Sequence, residues 1–310
     1  MSEILPINQI ELFGLNKFFN ELVKLYKKNK LPNKILLSGP KGLGKSTLSY
    51  HFINYVLSLE EEFEYDYNNL KINPKNRSFK TIQNRSNPNF ILVDVNDEKK
   101  FIDINQIRSL ILNLNKSSFN KKPRFILIDN IELLNINSVN ALLKIIEEPS
   151  NNVHFILVNN NKKILPTLSS RCINFKIHLS NEESLTVVNK LLNDNLQNII
   201  NYDLINYYLT PGYIYNLAIF GKNNNFDLKN INLSQFIKSI IGNKYFKKDD
   251  FIKSSIYDFI EFYFTKINSS FSTNINSQYN YFLKRISNTK KFNLDEDSLF
   301  MEFEDKILNG

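Results

Sequence analysis

The sequence predicts a mainly parallel, three-layer α/β domain over residues 1–179, followed by helical units over 180–221 and 228–310. Three observations carry this. Short apolar runs of strand length alternate with amphipathic stretches of helix length through the first half of the chain. A glycine-rich turn, GPKGLGKS, stands between the first of these runs and a segment of helical period. Beyond Glu182 the strand-like runs stop and only helical patches continue.

The elements follow in order. A short helix is expected around Phe18 to Tyr26, then a basic loop, KKNKLPN, and a strand at Ile35 to Leu37. After the glycine turn, LSYHFINYVLSL places Leu48, Phe52, Tyr55 and Leu59 at helical spacing. Residues 60–88 read as an insertion, with charge blocks, prolines and little sustained period. Phe90 to Val93 is the next strand, and Asp103 stands where it would cap a helix bearing Ile104, Ile107, Ile111 and Leu114. Phe125 to Ile128 is a buried strand that ends on Asp129 and Asn130. A helix from about Ser138 presents Val139, Leu142, Leu143 and Ile146 and stops before Pro149. Phe155 to Val158 forms another strand and runs into NNNKK. Phe175, Ile177 and Leu179 alternate with Lys176 and His178, the mark of a last, half-exposed strand. The polar stretch GKNNNFD separates the two helical units.

Composition bounds the function. Hydrophobic residues make up 42% of 310, enough for the cores of two or three domains, which excludes a disordered or collagen-like chain. The lone cysteine, Cys172, excludes a disulfide framework and zinc sites built from several thiolates, and it suits a reducing setting. The start of the chain lacks the pattern of an export signal, and no run approaches the ~18 apolar residues of a membrane span, so a cytoplasmic protein is expected. The net charge of +8 belongs to the first half: residues 1–180 carry 25 basic and 16 acidic side chains. That is compatible with a nearby polyanion. Lys27, Lys28, Lys30 and Lys34, and Lys121, Lys122 and Arg124, are candidate backbone contacts for DNA, without a base-reading element.

The sharpest signal is Gly39, Pro40, Lys41, Gly42, Leu43, Gly44, Lys45, Ser46 and Thr47, a full G-x-x-x-x-G-K-[ST] match with a strand before and a helix after. Amides of such a turn face phosphate oxygens, the helix start adds its positive end, and Lys45 reaches the terminal phosphates. The Ser46 hydroxyl and the Asp129 carboxylate are expected to hold Mg²⁺. ATP or ADP with Mg²⁺ is therefore the expected ligand. Hydrolysis is expected to be weak, because Asn130 stands where a carboxylate would activate water; Glu132 compensates only if the chain turns back. Asn159 and Asn160, at the end of a strand, are candidate sensors of the γ-phosphate or simple turn residues.

Read together, GPKGLGKSTLSY, FILIDNIELLN, NSVNALLKIIEEPS and FILVNNNKKILPTLSSRC resemble the AAA+ clamp-loader family, and within it the delta-prime subunits of bacterial DNA polymerase III. The resemblance covers about residues 5–180. It implies a P-loop AAA+ domain, a small helical lid and a helical collar, in a heteropentamer of motor subunits and a clamp-opening delta subunit. That assembly places a sliding clamp on primed DNA at the replication fork. It further implies that Arg171, in Ser170-Arg171-Cys172, completes the ATP site of an adjacent motor subunit. Two departures stand out: residues 60–88 contain no cysteine, so the family's zinc module is not expected, and Tyr213 occupies the place of a nucleotide-sensing arginine in the lid. Two other functions are open: a stand-alone, self-assembling P-loop ATPase acting on DNA, and a nucleotide-free structural ring subunit.

Other chemistry reads as packing. His51, His154 and His178 lack metal-triad spacing, Glu60 to Glu62 form a solvated run, and Glu147 and Glu148 suit helix-end and interface roles. The aromatic segments YIYNLAIF and FIEFYF have the period of helical cores.

Overall fold

The computed structural model describes residues 4–95, 99–115, 120–147, 152–206, 209–267 and 273–309. The chain divides into two units, one of residues up to 190 with 210–213, the other of 191–209 with 214–310.

The first unit runs α1 (Asn16–Lys27), β1 (Lys34–Ser38), α2 (Lys45–Leu57), α3 (Arg77–Gln83), β2 (Phe90–Val93), α4 (Ile104–Leu114), β3 (Arg124–Ile128), α5 (Ile136–Glu147), β4 (Val153–Asn159), α6 (Pro166–Ser169) and β5 (Ile173–Lys176), with α7 (Asn181–Leu192) leading out. Among the described residues its five strands are parallel, in the order β2-β3-β4-β1-β5. Apolar runs without polar alternation are what a sheet covered on both faces requires. Ile35, Leu37, Phe125, Leu127, Ile156 and Val158 pack on one side with Phe19, Leu48 and Phe52. Leu36, Ile126, Ile128, Phe155 and Leu157 pack on the other with Ile107, Leu142 and Ile146. β4, central in the sheet, is buried at every residue.

Local signals set the helix ends. Asp103 caps α4 in a reciprocal box with Gln106. α5 begins at Ile136, two residues before the expected Ser138, and the Asn135 side chain accepts the Ser138 N–H at 2.8 Å. The expected stop before Pro149 and the side chain of Glu148 lie outside the described residues.

Residues 60–88, which show little sustained period in the sequence, are ordered. They include α3, and Tyr65, Leu70, Ile72, Phe79 and Ile82 join the core beside α2. Asn76 caps α3 through the Phe79 N–H and donates to the Phe63 carbonyl at 2.7 Å. The Asn54 side chain, on α2, donates to Asn76. The segment is held by apolar burial and amide bonds.

In the second unit, α8 (Pro211–Asn223) continues from residues 211–213 of the first and is followed by α9 (Leu233–Gly242), α10 (Tyr245–Lys248), α11 (Asp250–Ile267), α12 (Thr273–Phe292) and α13 (Glu296–Phe303). Its core is aromatic: Phe236 meets Phe259 edge-on at 5.0 Å, and Phe303 meets Phe264 and Phe282. The two aromatic segments thus supply core residues such as Phe220, Phe259 and Phe264. The polar stretch 221–227 lies inside this unit, where Phe226 packs between Phe220 and Phe236. Among the described residues no helix is long and apolar enough to cross a membrane.

Candidate nucleotide site

Parallel strands in register deliver their C-terminal ends to one edge of the sheet, where α/β folds place ligands. Ser38 pairs with Asn159, and Val93 with Ile128, so Gly39, Asp94, Asp129 and Asn160 all follow strands that end there. Gly44 begins α2 at φ +84°, a left-handed geometry that glycine adopts without a Cβ penalty. The first turn of α2 leaves the N–H groups of Lys45, Ser46 and Thr47 without partners inside the helix.

Lys45 is only 3% exposed, and its Nζ donates to the Gly39 carbonyl at 2.8 Å and the Pro40 carbonyl at 2.6 Å. Burial pushes this ammonium down to about 8, against the pull of Asp129 and Glu132. Ser46 Oγ donates to Asp129 Oδ2 at 2.5 Å, and the Asn130 N–H donates to Asp129 Oδ1 at 2.9 Å. Burial raises the Asp129 carboxyl above the usual range; the Ser46 hydrogen bond opposes this, and the neighbouring Asp94 adds to it. Leu43 is buried in the core and anchors the loop, Pro40 and Lys41 are exposed, and Thr47 is half-buried.

Beyond Asp129 the chain does turn back. Asn130 is left-handed at φ +53°, and residues 131–133 form a 3₁₀ turn. Asn130 Nδ2 donates to Asp94 at 2.9 Å and its Oδ1 accepts from Asn160 Nδ2 at 2.8 Å. Glu132 accepts from the Asn160 side chain at 3.0 Å and from the Asn160 N–H at 3.2 Å. Asn159 is spent elsewhere: its amide closes a turn with Lys162, accepting the Lys162 N–H and donating to the Lys162 carbonyl. Of the two candidate sensors, Asn160 joins the cluster and Asn159 does not.

Asp94 escaped the sequence reading. Its signal was present: FILVD at 90–94 repeats FILID at 125–129, and β2 pairs with β3 in that register.

Arg171, between α6 and β5, is not drawn into this cluster. It donates to the Thr167 carbonyl and to Glu147 Oε1, each at 2.7 Å, and its side chain is 35% exposed. The Cys172 thiol beside it is pushed up to about 11 by burial.

Two of the basic candidates for DNA contact hydrogen-bond within the chain. Lys122 Nζ donates to the Leu57 and Leu59 carbonyls at the end of α2, and Arg124 donates to the Asn113 and Leu114 carbonyls at the end of α4. The histidines are dispersed. His51 is buried between the Gln9 carbonyl and the Tyr65 hydroxyl, and burial pushes it down to about 4. His154 stacks on Phe125, and His178 is exposed. Among the described residues no three His, Cys, Asp or Glu converge on a metal site.

Residues 14–181 match the family model described as DNA polymerase III, delta subunit, which is more than half of the chain. The chain belongs to that family. The phosphate loop, Asp129 and Arg171 of this family member all lie within the matched residues. A DNA polymerase III subunit delta' of Buchnera aphidicola subsp. Schizaphis graminum is 27% identical over 195 residues, 60% of this chain and 55% of that protein. A DNA polymerase III subunit gamma of the same organism is 29% identical over 157 residues, 50% of this chain and 41% of its own. The chain spans about half the length of the curated relatives it matches. A DNA polymerase III gamma subunit-related protein from Thermotoga maritima superposes with a TM-score of 0.51 at 16% identity, over 91% of this chain and 96% of that one. The fold is AAA+-like, a parallel sheet core with helical extensions.

Proposed function

We propose that this chain is a delta-prime-type clamp-loader subunit that binds Mg-ATP or Mg-ADP, turns it over weakly or not at all, and lends Arg171 to a neighbouring ATP site. One observation carries the reading: Lys45, Ser46 and Asp129 are gathered at the sheet's C-terminal edge, while Arg171 is bonded elsewhere and partly exposed. The residues fit the ligand. A hydroxyl and a carboxylate 2.5 Å apart are the hard oxygen donors that Mg²⁺ takes, and the start of α2 suits phosphate. Magnesium, when bound, offsets charge on the phosphate oxygens. Gly39 to Thr47 would hold the phosphates, Ser46 and Asp129 the metal, and Asn160 would sense the γ-phosphate.

Weak turnover is supported by the amide at position 130 and by Glu132, whose two carboxylate oxygens are both engaged by Asn160. Residues 180–221 as a lid and 228–310 as a collar are a proposed subdivision of the helical part. The proposed partners are motor subunits and a clamp-opening subunit in a heteropentamer, acting with the sliding clamp and primed DNA at the cytoplasmic replication fork. Size-resolved mass measurement of the cognate subunits, alone and mixed, tests this. A mixed complex is expected. A self-ring that forms without partners and hydrolyses ATP vigorously would replace the reading with a stand-alone motor.

A further inference from the structure

Four successive carbonyls of the phosphate loop are occupied. Lys45 Nζ takes those of Gly39 and Pro40. Thr210 Oγ1 donates to the Lys41 carbonyl at 2.7 Å, and the Gly212 N–H donates to the Gly42 carbonyl at 2.9 Å. The last two donors come from residues 210–213, which pack as part of the sheet-bearing unit although the chain reaches them only after Leu209 of the other.

The contact is close enough to need glycine on both sides. A Cβ on Gly42 would lie 2.4 Å from Thr210 Oγ1, and a Cβ on Gly212 would lie 2.8 Å from Gly42 Cα. Gly42 is also at φ +89°, where a side chain would be strained.

In a planar trans peptide the C=O and the following N–H point in opposite directions. Holding the Lys41 and Gly42 carbonyls therefore aims the N–H groups of Gly42 and Leu43 away from residues 210–212. A glycine-rich loop left to itself would have to be ordered by its ligand, at a cost in conformational entropy. Ordering it beforehand turns that cost into affinity.

We propose that residues 210–212 clasp the phosphate loop in its anion-receiving form, making Thr210 and Gly212 positioning residues that set phosphate affinity. This rests on the nucleotide-site reading. The test uses the full chain with Thr210→Val, Thr210→Ser and Gly212→Ala. It reads amide exchange of residues 39–47 without nucleotide and Mg-ADP affinity by calorimetry. Loss of one hydrogen bond, about 1 kcal/mol, is expected to speed loop exchange and weaken Mg-ADP roughly fivefold in Thr210→Val. Thr210→Ser should restore both, and Gly212→Ala should lose more than Thr210→Val. A merely structural Thr210 would lower the unfolding midpoint and leave loop exchange and affinity of the folded protein alone. Unchanged exchange, or tighter Mg-ADP binding in Thr210→Val, overturns the clasp. Wild-type protein that binds no Mg-ADP overturns the nucleotide assignment, while the exchange readout still decides the clasp.

Discussion

Lys45 and Arg171 are both cations of the sheet-bearing unit, and they are held in opposite ways. Lys45 is buried, bonded to its own loop and lowered to about 8 by that burial. Arg171 is a third exposed, resting on one ion pair with a more exposed Glu147 and on one carbonyl. Under the proposed function, the difference is a division of labour. A charge that is costly to bury is kept where a ligand of the same chain would repay it. A partly exposed charge held by one exposed ion pair and one carbonyl can exchange those bonds for another molecule at little cost.

The largest expected effect breaks the comparison on the Arg171 side. In a reconstituted complex whose adjacent motor site alone binds ATP, Arg171→Ala should lower hydrolysis roughly 10³-fold, the low end for an arginine finger, with assembly intact. An unchanged rate there would remove the in-trans role.

The inner region should behave as a rigid scaffold, and His51 on α2 reports on it. Its folded value of about 4 lies below the ordinary 6.5, so the unfolded chain binds the extra proton between those pH values. Stability should therefore rise from pH 4 to 6.5, by on the order of 3 kcal/mol from this group, and His51→Gln should flatten that part of a denaturation profile. An identical profile in the variant would show that His51 titrates as an exposed group.

A smaller effect sharpens the Lys45 side. With its ammonium at about 8, phosphate attraction should be full below that pH and fall toward tenfold weaker for each unit above it. Calorimetric Mg-ADP affinity that stays level from pH 7 to 9.5 would contradict this. The smallest effect belongs to the ion pair at Arg171: Glu147→Gln should cost about 1 kcal/mol of stability or less, since exposed pairs contribute little.

How much of this was legible follows from the range of the interactions. Four strands could be read because the sheet is covered on both faces, so that residues such as Ile126 and Leu157 leave unbroken apolar runs. The fifth, read from alternation over 175–179, runs instead over Ile173–Lys176 and is mostly exposed. Lys45 and Ser46 were legible because strand, glycine turn and helix fix them locally, and Asp129 because it ends an apolar strand, although 83 residues separate it from Ser46. Residues 60–88 were not, because Tyr65 and Ile72 lie outside helix and strand and are buried, with Phe79, in a core shared with distant elements. The bonds of Lys122 and Arg124 were hidden for the same reason: the carbonyls they cap end α2 and α4. Asn159 and Asn160, adjacent and chemically identical, were separated only by the turn that spends the first.

The division between the two cations is tested most directly by titrating Mg-ATP into the full chain, its Lys45→Ala variant and its Arg171→Ala variant, side by side in a calorimeter. The wild type and Arg171→Ala should bind with the same affinity, and Lys45→Ala should bind about a hundredfold more weakly, through loss of a charge-assisted phosphate contact. Equal weakening by both substitutions would place Arg171 in the chain's own site and contradict the account.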